Sequence, residues 1–196
     1  MIFLFSMRPN IVVGVEDGES MYRKWYFEVI IDYIEQVTHM QPHIRVGWAT
    51  THFQPSPGHG DGFSANGIGD NTYSYGFDGR NIWFAGRAYS VFKDQSQGIA
   101  LKKNDVIGCL LDLNMPEMWF SLNGVPIKAL LRGFNLTGMF YPVISLSSRV
   151  RFVKSIEYYS LLEKIILVVD FYLAENMADS FIDHQIVPHL SMKQCY

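Results

Sequence analysis

The residues with the best spacing for chemistry lie in NGIGDNTYSYGFDGRNIWF, residues 66–84, where glycines crowd among aromatic side chains. A phosphate-cradling loop ends in Gly-Lys-Ser/Thr, so that the lysine reaches the phosphates and the hydroxyl reaches magnesium. Here Gly67-Ile68-Gly69 runs into Asp70-Asn71, and a carboxylate at that point repels a phosphate. A dinucleotide fingerprint opens a helix after a strand. The residues that follow, TYSYGFDG, instead alternate Tyr73, Tyr75 and Phe77 with small or polar neighbours and close on Asp78-Gly79, a hairpin pair. These glycines turn the chain, and no cofactor is expected.

Other catalytic and metal readings are equally short of partners. His52, His59 and Asp61 share the loop THFQPSPGHGDG, but no cysteine or further histidine completes a ligand set, so a solvated Pro/Gly-rich loop is the simpler reading. There is no Gly-x-Ser-x-Gly elbow, and Asp61 and Asp70 have no evident cleft that would split their pKa values into an acid and a base. The triplet Asn135-Leu136-Thr137 matches a glycosylation acceptor without a secretory leader before it. The expectation is a protein without catalytic, cofactor or metal-binding residues.

The elements needed to position any site are strands. WYFEVIID puts Trp25, Phe27, Val29 and Ile31 on one face; IRVGWAT puts Ile44, Val46 and Trp48 on one face and Arg45, Gly47 and Ala49 on the other. DVIGCLLDL aligns Ile107, Cys109, Leu111 and Leu113, which makes Cys109 a core residue rather than a reactive thiol. WFSLNGVPI folds back at Asn123-Gly124, the pair a type I′ turn prefers. In MFYPVISL, Pro142 suggests an edge or a strand start, and MIFLF reads as a frayed start or first strand. Short strands, turn chemistry between them and no helical period predict an all-β fold, an antiparallel β-sandwich.

After Lys154 the chain changes character, because glycine is absent from there to the end. Leu161, Leu162, Ile165, Ile166, Val169 and Leu173 follow three- and four-residue steps, which predicts an amphipathic helix within a C-terminal helical extension, residues 155–196. The run LLEKIILVVDFYLA is interrupted by Glu163, Lys164 and Asp170, so no membrane span is expected. The 196 residues, 48% of them hydrophobic and 18% charged, suit one good-sized globular domain. A net charge of -3 with no basic run argues against nucleic acid as a partner. Cys109 and Cys195 are too far apart in sequence to suggest a disulfide framework, which favours a reducing compartment.

The ordered motifs KWYFEV, RVGWA, GDNTYSYGFDG, DVIGCLLDL, WFSLNG and FYPVISL resemble a SPRY domain over residues 7–154. That resemblance implies a concanavalin-like jelly-roll sandwich serving as a non-catalytic protein-interaction module. More narrowly, RPNIVVG before KWYFEVIID, with PHIRVGWA and NGIGDNTYSYGFDG, is similar to the first SPRY domain of ryanodine receptors, the intracellular calcium-release channels. The implied partners are other ryanodine-receptor domains and a small immunophilin, at the cytosolic face of the sarcoplasmic or endoplasmic reticulum. The segment after RVRF departs from that pattern, and these residues contain no pore or calcium site. The alternatives are a free-standing SPRY substrate adaptor of the ubiquitin-ligase type and, behind it, a glycan-binding β-sandwich.

Specificity in such a module belongs to loops carried on the sandwich. Three are expected to meet a partner: residues 36–42, with Gln36, Thr38, His39 and Met40; residues 51–64, with Phe53, Gln54, Asp61 and Phe63; and residues 80–88, with Arg80, Trp83, Phe84 and Arg87. Phe53, Phe63, Trp83 and Phe84 look exposed in the sequence; packing over the ends of the sandwich is the competing reading.

Overall fold

The computed structural model describes residues 4–8, 12–14, 24–34, 43–54, 67–92, 100–134, 136, 138–147, 150–152 and 159–160. Every regular element among them is a strand. The first sheet takes β1 (Leu4–Met7), β3 (Ile44–Thr50), β4 (Ser74–Phe77), β5 (Asn81–Phe84), β6 (Arg87–Ser90) and β10 (Phe140–Ser147), in the spatial order β1-β10-β3-β4-β5-β6. The second takes β2 (Lys24–Ile34), β7 (Val106–Asp112), β8 (Glu117–Leu122), β9 (Val125–Arg132), β11 (Val150–Phe152) and β12 (Tyr159–Ser160). Its order is β11-β2-β7-β8-β9, with β12 also on β2. All strand pairs are antiparallel.

The period-two pattern of the sequence becomes the core between the sheets. In β2, Phe27, Val29 and Ile31 are buried, and their cross-strand partners Cys109 and Ile107 in β7 are buried with them. In β8 the alternation is complete, with Met118, Phe120 and Leu122 inward and Glu117, Trp119 and Ser121 between them. Aromatic rings join the two layers: Phe27 meets Trp48 edge-on at 4.9 Å, and Phe77 stacks on Phe120 at 5.6 Å. Such pairs add roughly 0.5 to 1.5 kcal/mol beyond their burial. Trp25, by contrast, is only partly buried and packs against the margin of this core.

Two local details follow directly from residue type. Asn123 and Gly124 both have positive φ, 52° and 76°, as the type I′ turn between β8 and β9 requires. The Asn123 side chain also accepts from the Val106 amide at 2.8 Å and donates to Asp105 at 3.0 Å, tying the turn to the start of β7. Pro142 lies inside β10, an interior strand of the first sheet. Phe140 exchanges backbone bonds with Val13 on the side away from β3, and Pro142, two residues on, points its nitrogen the same way. The described ladder with β1 stops at Ile144, so the missing N–H falls between that ladder and the Val13–Phe140 bridge, and the edge or strand start expected from Pro142 is corrected to an interior position of an interior strand.

The helix expected within residues 155–196 falls outside the described residues, of which that region contributes only Tyr159 and Ser160, opposite Tyr26 and Trp25. Among the described residues no helix is long and apolar enough to cross a membrane.

Candidate functional site

The outward face of the first sheet is unusual for a sandwich, because the chain itself covers it. Arg45, Gly47 and Ala49 of β3 point to this side, as do Val143 and Ser145 of β10 and Gly76 and Trp83 of the neighbouring strands. Residues 67–73 fold over it, and Ile68 buries itself with Ala49, Phe53, Tyr141 and Val143 in a second, smaller core. The Ile68 amide donates to Ser145 Oγ at 3.0 Å and the Gly69 amide to Ser74 Oγ at 2.9 Å. Gly69 sits at φ 88° with the Trp83 backbone and Cβ so close that any added Cβ would collide with them. Only glycine satisfies both conditions.

Arg45 is the centre of this arrangement. Its Nη1 donates to Asp70 Oδ1 at 2.7 Å and to the Ile68 carbonyl at 2.8 Å, while the guanidinium lies 3.6 Å from the centre of the Trp83 ring. Asp70 accepts from the Gly67 amide through its other oxygen at 2.7 Å. Trp83 is held from below by its own indole N–H, which donates to Asp78 Oδ2 at 2.6 Å. Asp78 in turn takes the amides of Arg80 and Asn81, closing the turn between β4 and β5. Beside the cluster, burial and then the Arg45 charge lower the pKa of His43 to about 4, against the opposing pull of Asp70 and Asp78. The two carboxylates of the glycine-rich motif are therefore engaged in holding the fold.

This clamp positions one end of the sheet. The Thr50 amide donates to the Tyr73 carbonyl at 2.8 Å and the Thr51 amide to the Met139 carbonyl at 3.1 Å, so the ends of β3, β4 and β10 converge. The Ala85 and Gly86 amides donate to the carbonyls of Asn71 and Gly69, which brings the turn between β5 and β6 to the same end. The exposed rings of His52 and Tyr73 pair at 5.6 Å. Arg8 lies over the ring of Tyr141 at 4.7 Å. Burial raises the Tyr141 pKa above the ordinary phenol value, even though Arg8 pulls it down. Gln54 and Arg87 are exposed at this rim. The result is a surface of aromatic rings, amides and guanidinium groups on a backbone fixed by hydrogen bonds.

The expected site residues are divided by this geometry. Gln54 and Arg87 reach the shared rim, and Phe84 ends β5 beside it with its half-buried ring stacked on Tyr75 at 5.1 Å. Arg80 sits in the turn at the opposite end of β4 and β5. The exposure expected of the aromatics is corrected: Phe53 is 5% exposed in the smaller core, and Trp83 is half-buried beneath Arg45. Gln36, Thr38, His39, Met40, Asp61 and Phe63 lie outside the described residues. Sequence reasoning missed Arg8, His52 as an aromatic contact, and Tyr73. The available signal for the clamp was Arg45, a charged residue sharing a strand face with Gly47 and Ala49, which marks a face covered by something close.

Among the described residues no three His, Cys, Asp or Glu side chains group to hold a metal ion. Burial raises the pKa of Cys109 well above the usual thiol value, as for a core residue. The fold and this rim define a class: an antiparallel β-sandwich with loops gathered at one end of its first sheet. A family model described as the SPRY domain matches residues 24–156, and the chain belongs to that family of protein-interaction modules.

Its relatives carry the module in unlike settings. The chain is 32% identical over 133 residues to an E3 ubiquitin-protein ligase RKP of Arabidopsis thaliana, covering 65% of this chain and 9% of the relative. It is 30% identical over 123 residues to the dual specificity protein kinase splA of Dictyostelium discoideum, covering 61% and 4%. To the heterogeneous nuclear ribonucleoprotein U-like protein 2 of Mus musculus it is 31% identical over 91 residues, covering 45% and 10%. The chain thus spans a tenth or less of each of these proteins.

Proposed function

We propose that this chain recognises a partner protein through the loop rim of its first sheet, and that it serves as the partner-selecting element of a ubiquitin-ligase-type assembly. The observation that carries recognition is the rim itself: exposed His52, Tyr73, Gln54 and Arg87 stand on backbone fixed by the Arg45 clamp, so a partner meets a surface already ordered. Among the described residues its exposed charged side chains are cationic, Arg8 and Arg87, which suits a partner segment with acidic or carbonyl-rich character. A similar module occurs in a ligase, a kinase and a ribonucleoprotein, which supports a role in choosing partners over any one of those chemistries. The ligase relative supports the assembly named here.

A photo-crosslinking amino acid placed at Tyr73 of the full chain, with Val125 on the far hairpin as control, tests this reading. Tyr73 is expected to capture a discrete protein that Val125 does not, and that protein should become ubiquitinated in a manner dependent on the chain. Equal capture at both positions would remove the rim from the binding site; capture without ubiquitination would leave recognition standing and withdraw the ligase setting.

A second reading follows the ryanodine-receptor likeness. It is favoured by the two ends of the RPNIVVG motif, where Arg8 lies over Tyr141 and Val13 is bridged to Phe140. The same crosslinking would then recover channel domains or an immunophilin, in a reticulum membrane fraction.

A further inference from the structure

The outward face of the second sheet is ordered into rows across β2, β7, β8 and β9. One row is charged, Lys24, Asp112, Glu117 and Arg132, and satisfies itself through ion pairs of 2.9 Å between Lys24 and Asp112 and 2.8 Å between Arg132 and Glu117. The next row is Tyr26, Leu110, Trp119 and Leu130, all half-buried. An outward row on an antiparallel sheet is ordinarily polar. This one is apolar and aromatic across four strands. It is also flat: Tyr26 leans along the sheet to donate to Glu28 Oε1 at 2.6 Å, and its hydroxyl crosses Gly108 so closely that a Cβ there would strike it.

The backbone delivers the end of the chain to this row. Tyr159 of β12 stands opposite Tyr26, on the side of β2 away from β7, and Ser160 stands opposite Trp25, so β12 runs toward the Lys24 corner. The residues that come next are the apolar stripe Leu161, Leu162, Ile165, Ile166, Val169 and Leu173. We propose that residues 161–173 lie as a helix across the outward face of the second sheet, with this stripe on Tyr26, Leu110, Trp119 and Leu130.

Length and chemistry agree with that occupant. From β12 to β9 the row crosses four strand spacings, about 19 Å at ~4.8 Å each. A helix of thirteen residues is about 20 Å long. At about 100° per residue the six stripe positions fall within one arc, and Glu163, Lys164 and Asp170 fall outside it. No loop has to span a gap, because the segment begins where β12 ends.

The full chain labelled with 5-fluorotryptophan provides the test, its Trp119 signal assigned through Trp119→Phe. Trp119 is expected to show little solvent isotope shift in the unaltered chain and a large one in Ile165→Asp/Ile166→Asp, with the Trp48 signal unmoved. Leu130→Asp approaches from the sheet side and leaves the segment intact. It should expose Trp119 in the same way and open residues 161–173 to proteolysis while cooperative melting persists, so the outcome is readable even where the tail variant does not fold. A Trp119 already solvent-exposed in the unaltered chain, or unmoved by both variants, would overturn the proposal in favour of an outside partner. Trp119 protection that disappears on dilution, with light scattering showing a dimer, would overturn it in favour of a second copy.

Discussion

At His43 the cost of burial is written into the pH dependence of the fold. The imidazole lies beside Arg45, and its pKa falls from the usual 6.5 to about 4 on folding, first through desolvation and then through that positive charge. The unfolded chain therefore binds the extra proton more readily than the folded one between those values, so stability is full above pH 6.5 and declines as pH falls toward 4. The change over that window is of the order of 3 kcal/mol. Thermal melts from pH 7 to 4 should show this slope, and His43→Gln should flatten it. Core residues divide by depth in a comparable way. Phe27→Ala, at a fully buried position against Trp48, should cost about 3 to 5 kcal/mol, whereas Trp25→Ala at the margin should cost distinctly less. Denaturant midpoints for the two variants check the order; equal losses would place Trp25 in the core proper.

At the scale of elements, two glycines with similar backbone geometry should answer substitution differently. Gly124 has φ 76° but open space around its missing Cβ, so Gly124→Ala should cost only the left-handed backbone term, about 1 to 2 kcal/mol. Gly69 adds a collision with Trp83 to the same kind of φ, and Gly69→Ala should lift residues 67–73 off the sheet and pull Arg45 away from its ring. Melting temperature will rank the two, and a red shift of tryptophan emission is expected for Gly69→Ala alone. This segment is an element in every sense except hydrogen-bonded regularity: it has its own small core and its own ion pair, and it sets where the rim proposed for recognition stands.

For the molecule as a whole, stability and recognition should separate. Tyr73→Ala and Arg87→Glu alter exposed side chains, and each should change stability by no more than about 0.5 kcal/mol. Both should weaken partner capture at the rim, Arg87→Glu most strongly if the partner segment is acidic. Phe53, just after β3, is the contrasting residue: it is buried, so Phe53→Ala should lower the melting temperature and damage capture only by loosening the rim. Parallel melting and crosslinking of the three variants checks the separation, and retained capture in both Tyr73→Ala and Arg87→Glu would move the site elsewhere.

Much of the fold was legible in local pattern, because a strand carries its burial in a period of two. The inward faces of β2, β3 and β7, the Asn123-Gly124 turn and the core role of Cys109 could all be read from neighbours in sequence. The ends of the sandwich could not, since burial there depends on what distant segments cover. Phe53 and Tyr73 both read as aromatic residues near turns, yet one is enclosed by Ile68 and Tyr141 and the other faces solvent beside His52. Asp70 was legible as a carboxylate hostile to phosphate; that it pairs with Arg45, 25 positions away in sequence, was decided only when β3 and the 67–73 segment came together. Period and turn chemistry act within a few residues, so the chain alone determined the strands and their inward faces. Which outward faces are covered, and therefore which side chains remain to meet a partner, is a property of contacts between residues far apart in the chain.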